Sequence, residues 1–241
     1  MRVLIVIPTY NEHSNIERLL HKIVEQSPGV DILVVDDESP DGTVDEVHRV
    51  AETISAQVAV VVREPPRGLG RAYTAGLLYG IERGYDVLLT MDADLSHDPS
   101  YIPQILEGIK RADVVVGSRY IRDGGVINWP LRRILLSWSA NMFARAILRL
   151  PGADLTSGFR AYRTSVLRTI DFDSIHSEGY SYLVEMLYRV RNVGGVIVET
   201  PIIFYDRRLG SSKISRREIY FGVVNLLRLG LRRVVQRPEL P

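Results

Sequence analysis

Apolar residues along this chain fall into two alternating kinds of run. Residues 2–7 (Arg-Val-Leu-Ile-Val-Ile) form a short β-branched block ending at Pro8, as expected of a strand buried on both faces. Over 14–26, Ile16, Leu19, Leu20, Ile23 and Val24 recur at helical spacing, with Ser14 as the expected N-cap. The alternation then repeats. Strands are predicted at 31–35, 57–62, 85–90 and 113–117, and helices at 43–54, 70–83 and 99–111. Strand and helix in turn predict an α/β fold, a Rossmann-like and mostly parallel sheet flanked by helices.

After Ser118 the pattern changes. Residues 131–149 read as an amphipathic helix carrying Arg132, Arg133, Arg145 and Arg149. A Gly158-Phe159-Arg160 loop follows, then a helix near 178–192 and a strand near 195–199. Residues 215–235 read as a second amphipathic helix, strongly basic. Nothing of linker composition separates these pieces from the sheet. The expected organisation is one domain over 1–214 and a basic C-terminal helix and tail over 215–241.

Charge sharpens that division. The net charge of +1 hides nine Lys/Arg against two Asp/Glu from Arg207 to Pro241, a local +7 on a body of −6. An anionic partner is expected at the basic end. The chain has no cysteine, which excludes disulfide scaffolding, thiolate catalysis and Cys-ligated zinc. The apolar start at Met1–Ile7 is too short for a signal peptide. No apolar run reaches about 18 residues, so no membrane-spanning helix is expected.

Candidate chemistry gathers after the predicted strands. Pro8-Thr9-Tyr10-Asn11-Glu12 follows the first, Asp36 to Thr43 the second, Arg67-Gly68-Leu69-Gly70 the third and Asp92-Ala93-Asp94 the fourth. Open α/β sheets bind ligands outside the C-terminal ends of their strands. Asp92 and Asp94, at i and i+2 in extended chain, share a face, and two such carboxylates repel unless a cation sits between them. A hard divalent ion shared with a diphosphate meets that need. A dinucleotide oxidoreductase reading fails, since no glycine follows the first strand and Gly68-x-Gly70 is completed by Tyr73. A P-loop is also missing from the sequence.

The ordered set Pro8-Thr9-Tyr10-Asn11-Glu12, Val35-Asp36-Asp37-x-Ser39-Pro40-Asp41-Gly42-Thr43, Asp92-Ala93-Asp94 and Gly117-Ser118-Arg119-Tyr120 resembles family 2 glycosyltransferases of the GT-A fold. Asn128-Trp129-Pro130-x-x-Arg133, Ser157-Gly158-Phe159-Arg160-Ala161-Tyr162 and Gly210-x-Ser212-Lys213 narrow it to the dolichol- or polyprenol-phosphate mannose synthases. The resemblance spans nearly the whole chain. It implies that Pro8, Tyr10 and Glu12 contact base and ribose of a nucleotide sugar, with Val35 and Asp37 completing the base pocket. The simpler alternative is that Asp36 and Asp37 only cap the following turn or helix.

It further implies that Asp92 and Asp94 hold Mg²⁺ or Mn²⁺ against the diphosphate while Ala93 packs beside the nucleotide. Ser96 stands where some members carry Gln, so water or His97 would be the substitute for a third ligand. Arg207 and Lys213 are expected on the donor diphosphate. Arg119 and Arg133 are expected on the acceptor phosphate, Arg119 also at the nucleotide sugar, with Ser137 one helical turn beyond; Asp154, Ser157 and Gly158 would either shape that side or serve the structure alone. Asp94, Arg119 and Arg133 make up the expected catalytic set.

The implied reaction moves mannose from GDP-mannose to a polyprenyl or dolichyl phosphate with inversion. Such a phosphate, with a second pKa of about 6, is already a nucleophilic oxyanion at neutral pH, so no strong general base is required. A UDP-sugar donor, as in a polyprenyl-phosphate glucosyltransferase, is the enzyme alternative. A sugar-phosphate nucleotidyltransferase lacks its Gly-rich first loop here, and a purely glycan-binding role leaves Asp92, Asp94 and Arg119 unexplained. Expected partners are the two substrates, the membrane surface and a membrane-anchoring subunit, without nucleic acid. The two arginine-bearing helices would lie on anionic headgroups through Arg216, Arg217, Arg228, Arg232, Arg233 and Arg237; the simpler alternative is that both pack on the sheet or on a partner with their arginines solvated. The expected location is the cytoplasm, peripheral on the cytosolic face of a membrane.

Overall fold

The computed structural model describes residues 1–206 and 216–235. The strands are β1 (Val3–Thr9), β2 (Asp31–Asp36), β3 (Val58–Val62), β4 (Val87–Thr90), β5 (Val114–Ser118), β6 (Gly125–Ile127), β7 (Arg160–Arg163), β8 (Ile197–Pro201) and β9 (Ile203–Tyr205). The helices are α1 (His13–Gln26), α2 (Thr43–Ala51), α3 (Leu69–Glu82), α4 (Ile102–Gly108), α5 (Leu131–Leu148), α6 (Thr164–Leu167), α7 (Tyr180–Asn192) and α8 (Arg216–Val235). Seven strands form one sheet in the order β3-β2-β1-β4-β7-β5-β8, and β6 pairs with β9 beside it.

Alternation along β1 explains the two layers. Leu4 and Val6 enter the core that α3 and α7 cover, with Tyr73, Leu77, Leu183 and Leu187. Val3, Ile5 and Ile7 enter the other, with Ile16, Leu19 and Ile23 of α1, Val47 of α2 and Ile105 of α4. Successive strand residues point to opposite faces, so one apolar strand feeds both cores. Helix α3 lies close to the sheet because a Cβ on Gly76 would strike Val6 and one on Gly80 would strike Leu88.

The sheet is mixed, because β7 runs antiparallel between β4 and β5. The expected Gly158-Phe159-Arg160 loop runs directly into this strand, which begins at Arg160. Arg-Ala-Tyr-Arg is short and carries charge at both ends, so no apolar run marks it. Burial is reached through hydrogen bonds instead. Arg160, with no solvent exposure, donates to the carbonyls of Leu183 at 2.6 Å and Leu155 at 2.7 Å. Two local expectations are also corrected. The expected helix over 99–111 is broken, with 3₁₀ turns at Pro99–Tyr101 and Ile109–Arg111 on either side of α4. Ser14 does not cap α1, which begins at His13.

Helices α5 and α8 pack together. Asn141, Ala144 and Leu148 of α5 are buried, as are Leu226 and Leu229 of α8. A second face of each helix is apolar and exposed. On α5 it comprises Leu131, Leu135, Trp138 and Met142, and on α8 Tyr220, Val223, Leu227 and Leu231. Both sets follow helical spacing along one stripe. No helix among the described residues is long and apolar enough to cross a membrane.

Candidate active site

The C-terminal ends of β1, β2 and β4 open into a cleft of about 400 Å³ lined by Pro8, Thr9, Tyr10, Glu12, Asp37, Arg67–Leu69, Ala72 and Asp92–Asp94. A wider groove of about 550 Å³ runs beside α1 past His13, Glu17, His21 and Glu25, but the paired carboxylates do not face it. The cleft therefore carries the chemistry.

Short polar residues stitch its first two loops together. Asp36 accepts from Thr9 Oγ1 at 2.7 Å and from Ser39 N–H and Oγ at 2.7 Å each. Ser39 Oγ accepts from the Asn11 N–H at 2.9 Å. The Glu12 and His13 N–H groups donate to Thr43 Oγ1 and Asp41 Oδ2 at 3.0 and 3.1 Å. Side chains of the second loop thus satisfy the start of α1. Asn11 and Glu38 adopt left-handed backbone, with φ of 60° and 57°, a conformation that re-aims a loop within one residue.

Consecutive carboxylates separate here. Asp36 is committed to the turn, while Asp37 faces the cleft, accepting from Arg63 and from the Gly68 N–H at 2.8 Å. Val35 has no exposed surface and sits in the core against Gly76. Its side chain is not among those that line the cleft. Arg67 is a wall residue absent from the expected site set. Its guanidinium lies 4.4 Å over the Tyr10 ring and donates to Tyr10 Oη at 2.8 Å. The signal was a basic residue directly before Gly68 in the third loop.

Asp92 and Asp94 follow β4 and both face the cleft. Asp92 Oδ1 accepts from Tyr73 Oη at 2.8 Å, and Asp94 Oδ1 from the Ser96 N–H at 3.0 Å. His97 is buried and its Nδ1 accepts from the Asp92 N–H at 2.9 Å. Burial pushes its pKa below the ordinary value against the pull of Asp92 and Asp94, so the ring is neutral with its proton on Nε2. With Nδ1 taken, that nitrogen is not a metal ligand. Among the described residues no three His, Asp or Glu side chains converge as a metal cage. Two carboxylates beside an open cleft instead suit an ion that completes its shell with phosphate oxygens and water.

Across the site, Arg119 is buried against Asp154. Its Nε and Nη2 donate to the two Asp154 oxygens at 2.6 and 2.7 Å, and Nη2 to Thr156 Oγ1 at 2.9 Å. Burial opposes both charges. Each outweighs that for the other, raising the Arg119 pKa and holding the Asp154 carboxyl below its usual value. Glu199 of β8 fixes the loop by accepting from the Ala153 and Asp154 N–H groups at 2.8 and 2.9 Å. Arg133, in the first turn of α5, donates to Asp206 at 2.6 Å and stacks 4.0 Å over Trp129. Ser137 is half-buried one turn further on. Arg207 and Lys213 lie outside the described residues.

Residues 4–211 match the family described as Glycosyl transferase family 2. The chain is 47% identical over 232 residues to an undecaprenyl-phosphate mannosyltransferase of Micrococcus luteus, covering 96% of this chain and 95% of that protein. It is 42% identical over 232 residues to a polyprenol monophosphomannose synthase of Mycolicibacterium smegmatis, covering 96% and 88%. The crystal structure of glucosyl-3-phosphoglycerate synthase from Mycobacterium tuberculosis, in complex with Mn²⁺, UDP and glucosyl-3-phosphoglycerate, matches with a TM-score of 0.68 and 18% identity over 99% of this chain and 81% of that one. At that identity the likeness is one of fold.

Proposed function

The chain belongs to glycosyl transferase family 2, and from that premise we propose that it transfers mannose from GDP-mannose to a polyprenyl phosphate. The observation that carries the reading is the pairing of Asp92 and Asp94 across the cleft that holds Tyr10, Glu12 and Asp37. It agrees with the activities that name the two curated relatives.

In this reading Tyr10, Glu12 and Asp37 hold base and ribose, while Pro8 and Ala93 wall the nucleotide. Asp92 and Asp94 hold Mg²⁺ or Mn²⁺, which when bound neutralises charge on the departing nucleoside diphosphate. Arg207 and Lys213 belong on the same diphosphate. Arg133, with Ser137 beside it, receives the acceptor phosphate by exchange with Asp206. Arg119, committed to Asp154, fixes the loop at that corner and turns its guanidinium edge toward it. One acceptor phosphate oxygen forms a bond to the anomeric carbon as the bond to the diphosphate breaks, its electron pair leaving with GDP. The configuration inverts and no side chain takes a proton. Catalysis is then positioning and charge stabilisation.

The acceptor is a lipid, and the exposed apolar stripes of α5 and α8 suit it. Arg132 and Arg145 flank the α5 stripe, as on helices that lie in a bilayer interface. The same helix carries Arg133, which would bring the phosphate-binding corner to the membrane surface. Incubation with a short prenyl phosphate and either GDP-[¹⁴C]mannose or UDP-[¹⁴C]glucose tests the reading. Metal-dependent labelling of the lipid from GDP-mannose is the expected result. Labelling from UDP-glucose instead overturns the donor assignment, and no labelled lipid from either overturns the reaction.

A further inference from the structure

Asp92 is held from two sides by residues outside any assigned ligand set. Tyr73 is 1% exposed, and its hydroxyl spends its proton on Asp92 Oδ1. Its ring lies against Tyr182, centroids 6.4 Å apart at 16°, and the Tyr182 hydroxyl accepts from Thr74 at 3.0 Å. On the other side the Asp92 backbone is tied to His97 Nδ1. That imidazole is wedged between Phe159, stacked at 5.0 Å, and Phe204, edge-on at 5.4 Å. Both holding groups are buried, each at 1% exposure.

Gly158 completes the arrangement. A Cβ there would stand 2.9 Å from Tyr73 Oη and 3.4 Å from Asp92 Oδ1. Its carbonyl is fixed by Thr90 Oγ1 at 2.7 Å, so the backbone cannot easily retreat. Only glycine leaves the Tyr73–Asp92 hydrogen bond undisturbed. Asp92 Oδ2, by contrast, has no hydrogen bond among the described residues and lies 3.7 Å from an imidazole nitrogen that is already an acceptor. One oxygen is anchored and the other is left without a hydrogen bond among the described residues.

We propose that Tyr73, His97 and Gly158 form a clamp that fixes Asp92 so that only Oδ2 faces the cation. They are positioning residues, since none of the three lines the cleft. The physical need is plain. Asp92 and Asp94 repel one another, and an unanchored Asp92 would relieve that repulsion by rotating away before the ion arrives. Anchoring holds the carboxylate in the binding geometry in advance. Partners that orient a metal-holding side chain typically change metal affinity by about 10- to 100-fold when removed.

The inference rests on the metal-assisted reading above, and the test separates the two. Mn²⁺ binding to the full chain is measured by electron paramagnetic resonance with GDP present, together with thermal unfolding and GDP binding without metal. Tyr73→Phe keeps the buried ring and removes the anchor. The expected result is about a tenfold weaker Mn²⁺ affinity with metal-free GDP binding and unfolding temperature essentially unchanged. Gly158→Ala, which displaces the same hydroxyl, should weaken Mn²⁺ similarly, and the double variant should add less than about twofold to the larger single effect. Wild-type Mn²⁺ affinity in folded Tyr73→Phe overturns the clamp. If that variant does not fold, wild-type affinity in Gly158→Ala overturns it. An unaltered protein that binds no Mn²⁺ in the presence of GDP overturns the metal reading itself, and the clamp with it.

Discussion

On the β1–β4 side of the site, carboxylates face the cleft and are held by hydroxyls, backbone N–H groups and Arg63. On the α5 side, the two arginines assigned to the site are each already matched to an aspartate. Arg119 meets Asp154 with side chains 5% and 0% exposed, and Arg133 meets Asp206 with 25% and 29%. In the proposed reaction the first side gains a cation. The second side gains an anion, but its two pairs differ in whether they can open. A phosphate arriving from solvent can take Arg133 from Asp206, because water screens both partners during the exchange. It cannot take Arg119 from Asp154, because that would strand a buried carboxylate.

The comparison breaks most sharply at Asp94. Asp94→Ala removes one of the two carboxylates assigned to the cation, and kcat should fall about a thousandfold, the several kcal/mol that charge stabilisation at a leaving group supplies. Unchanged turnover at saturating Mn²⁺ would show that the donor side does not gain a cation there at all.

Asp154→Asn tests the claim that the Arg119 pair is permanent. It leaves a buried guanidinium without its counter-charge, and should cost about 3–5 kcal/mol of folding stability, a fall of about 10 °C in Tm for a chain of this size. The pH dependence has a definite sign. The Asp154 carboxyl is held below its ordinary value of 3.8, so its contribution is fully present above that value and is lost as pH falls through the folded-state value. Urea denaturation of both proteins from pH 7 to pH 3 should therefore show the difference between them shrinking below about pH 4. A constant difference would deny that the charged form of Asp154 matters.

How far this was legible in the sequence follows the same divide. The donor side was readable because its strands are continuous apolar blocks and its loops are turn residues at their ends. Asp36 and Asp37 were seen as a pair, but strand alternation, which sends one to the turn and the other to the cleft, had to be seen in place. The Arg119–Asp154 pair, 35 residues apart, was not readable, because nothing in local spacing matches a buried arginine to its carboxylate. The β7 strand was hidden for a related reason, since Arg160 breaks the apolar pattern that marks a strand. In the sequence Tyr73 stands out only as the residue that spoils a glycine motif, and its hydroxyl meets Asp92 only once α3 is laid on the sheet.

Arg133→Ala asks whether the exchangeable pair is the acceptor's. A charge-assisted hydrogen bond to an ionised group is worth about 1.5–3 kcal/mol, so KM for a short prenyl phosphate should rise about 10- to 100-fold while KM for the nucleotide sugar holds. A rise confined to the donor would place Arg133 on the wrong side of the comparison.

The smallest effect concerns the α5 stripe, and it asks whether the acceptor side continues into a lipid surface. Leu135 and Trp138 are 56% and 51% exposed, on the same face as Leu131 and Met142. Replacing both by Glu removes apolar area that would enter the interface and adds like charge near anionic headgroups. Full burial of one such side chain is worth about 1.5–3 kcal/mol, but shallow insertion captures only part of it, and the α8 stripe remains. Flotation with phosphatidylglycerol vesicles should therefore show about a tenfold weaker partition. Val193→Glu, at a 47% exposed apolar position beyond α7, should float like the unaltered chain. If both variants float equally well, the α5 stripe does not meet lipid and must be covered by a protein partner. If both float equally poorly, the attraction is charge alone, and raising the salt concentration should then release the unaltered protein as well.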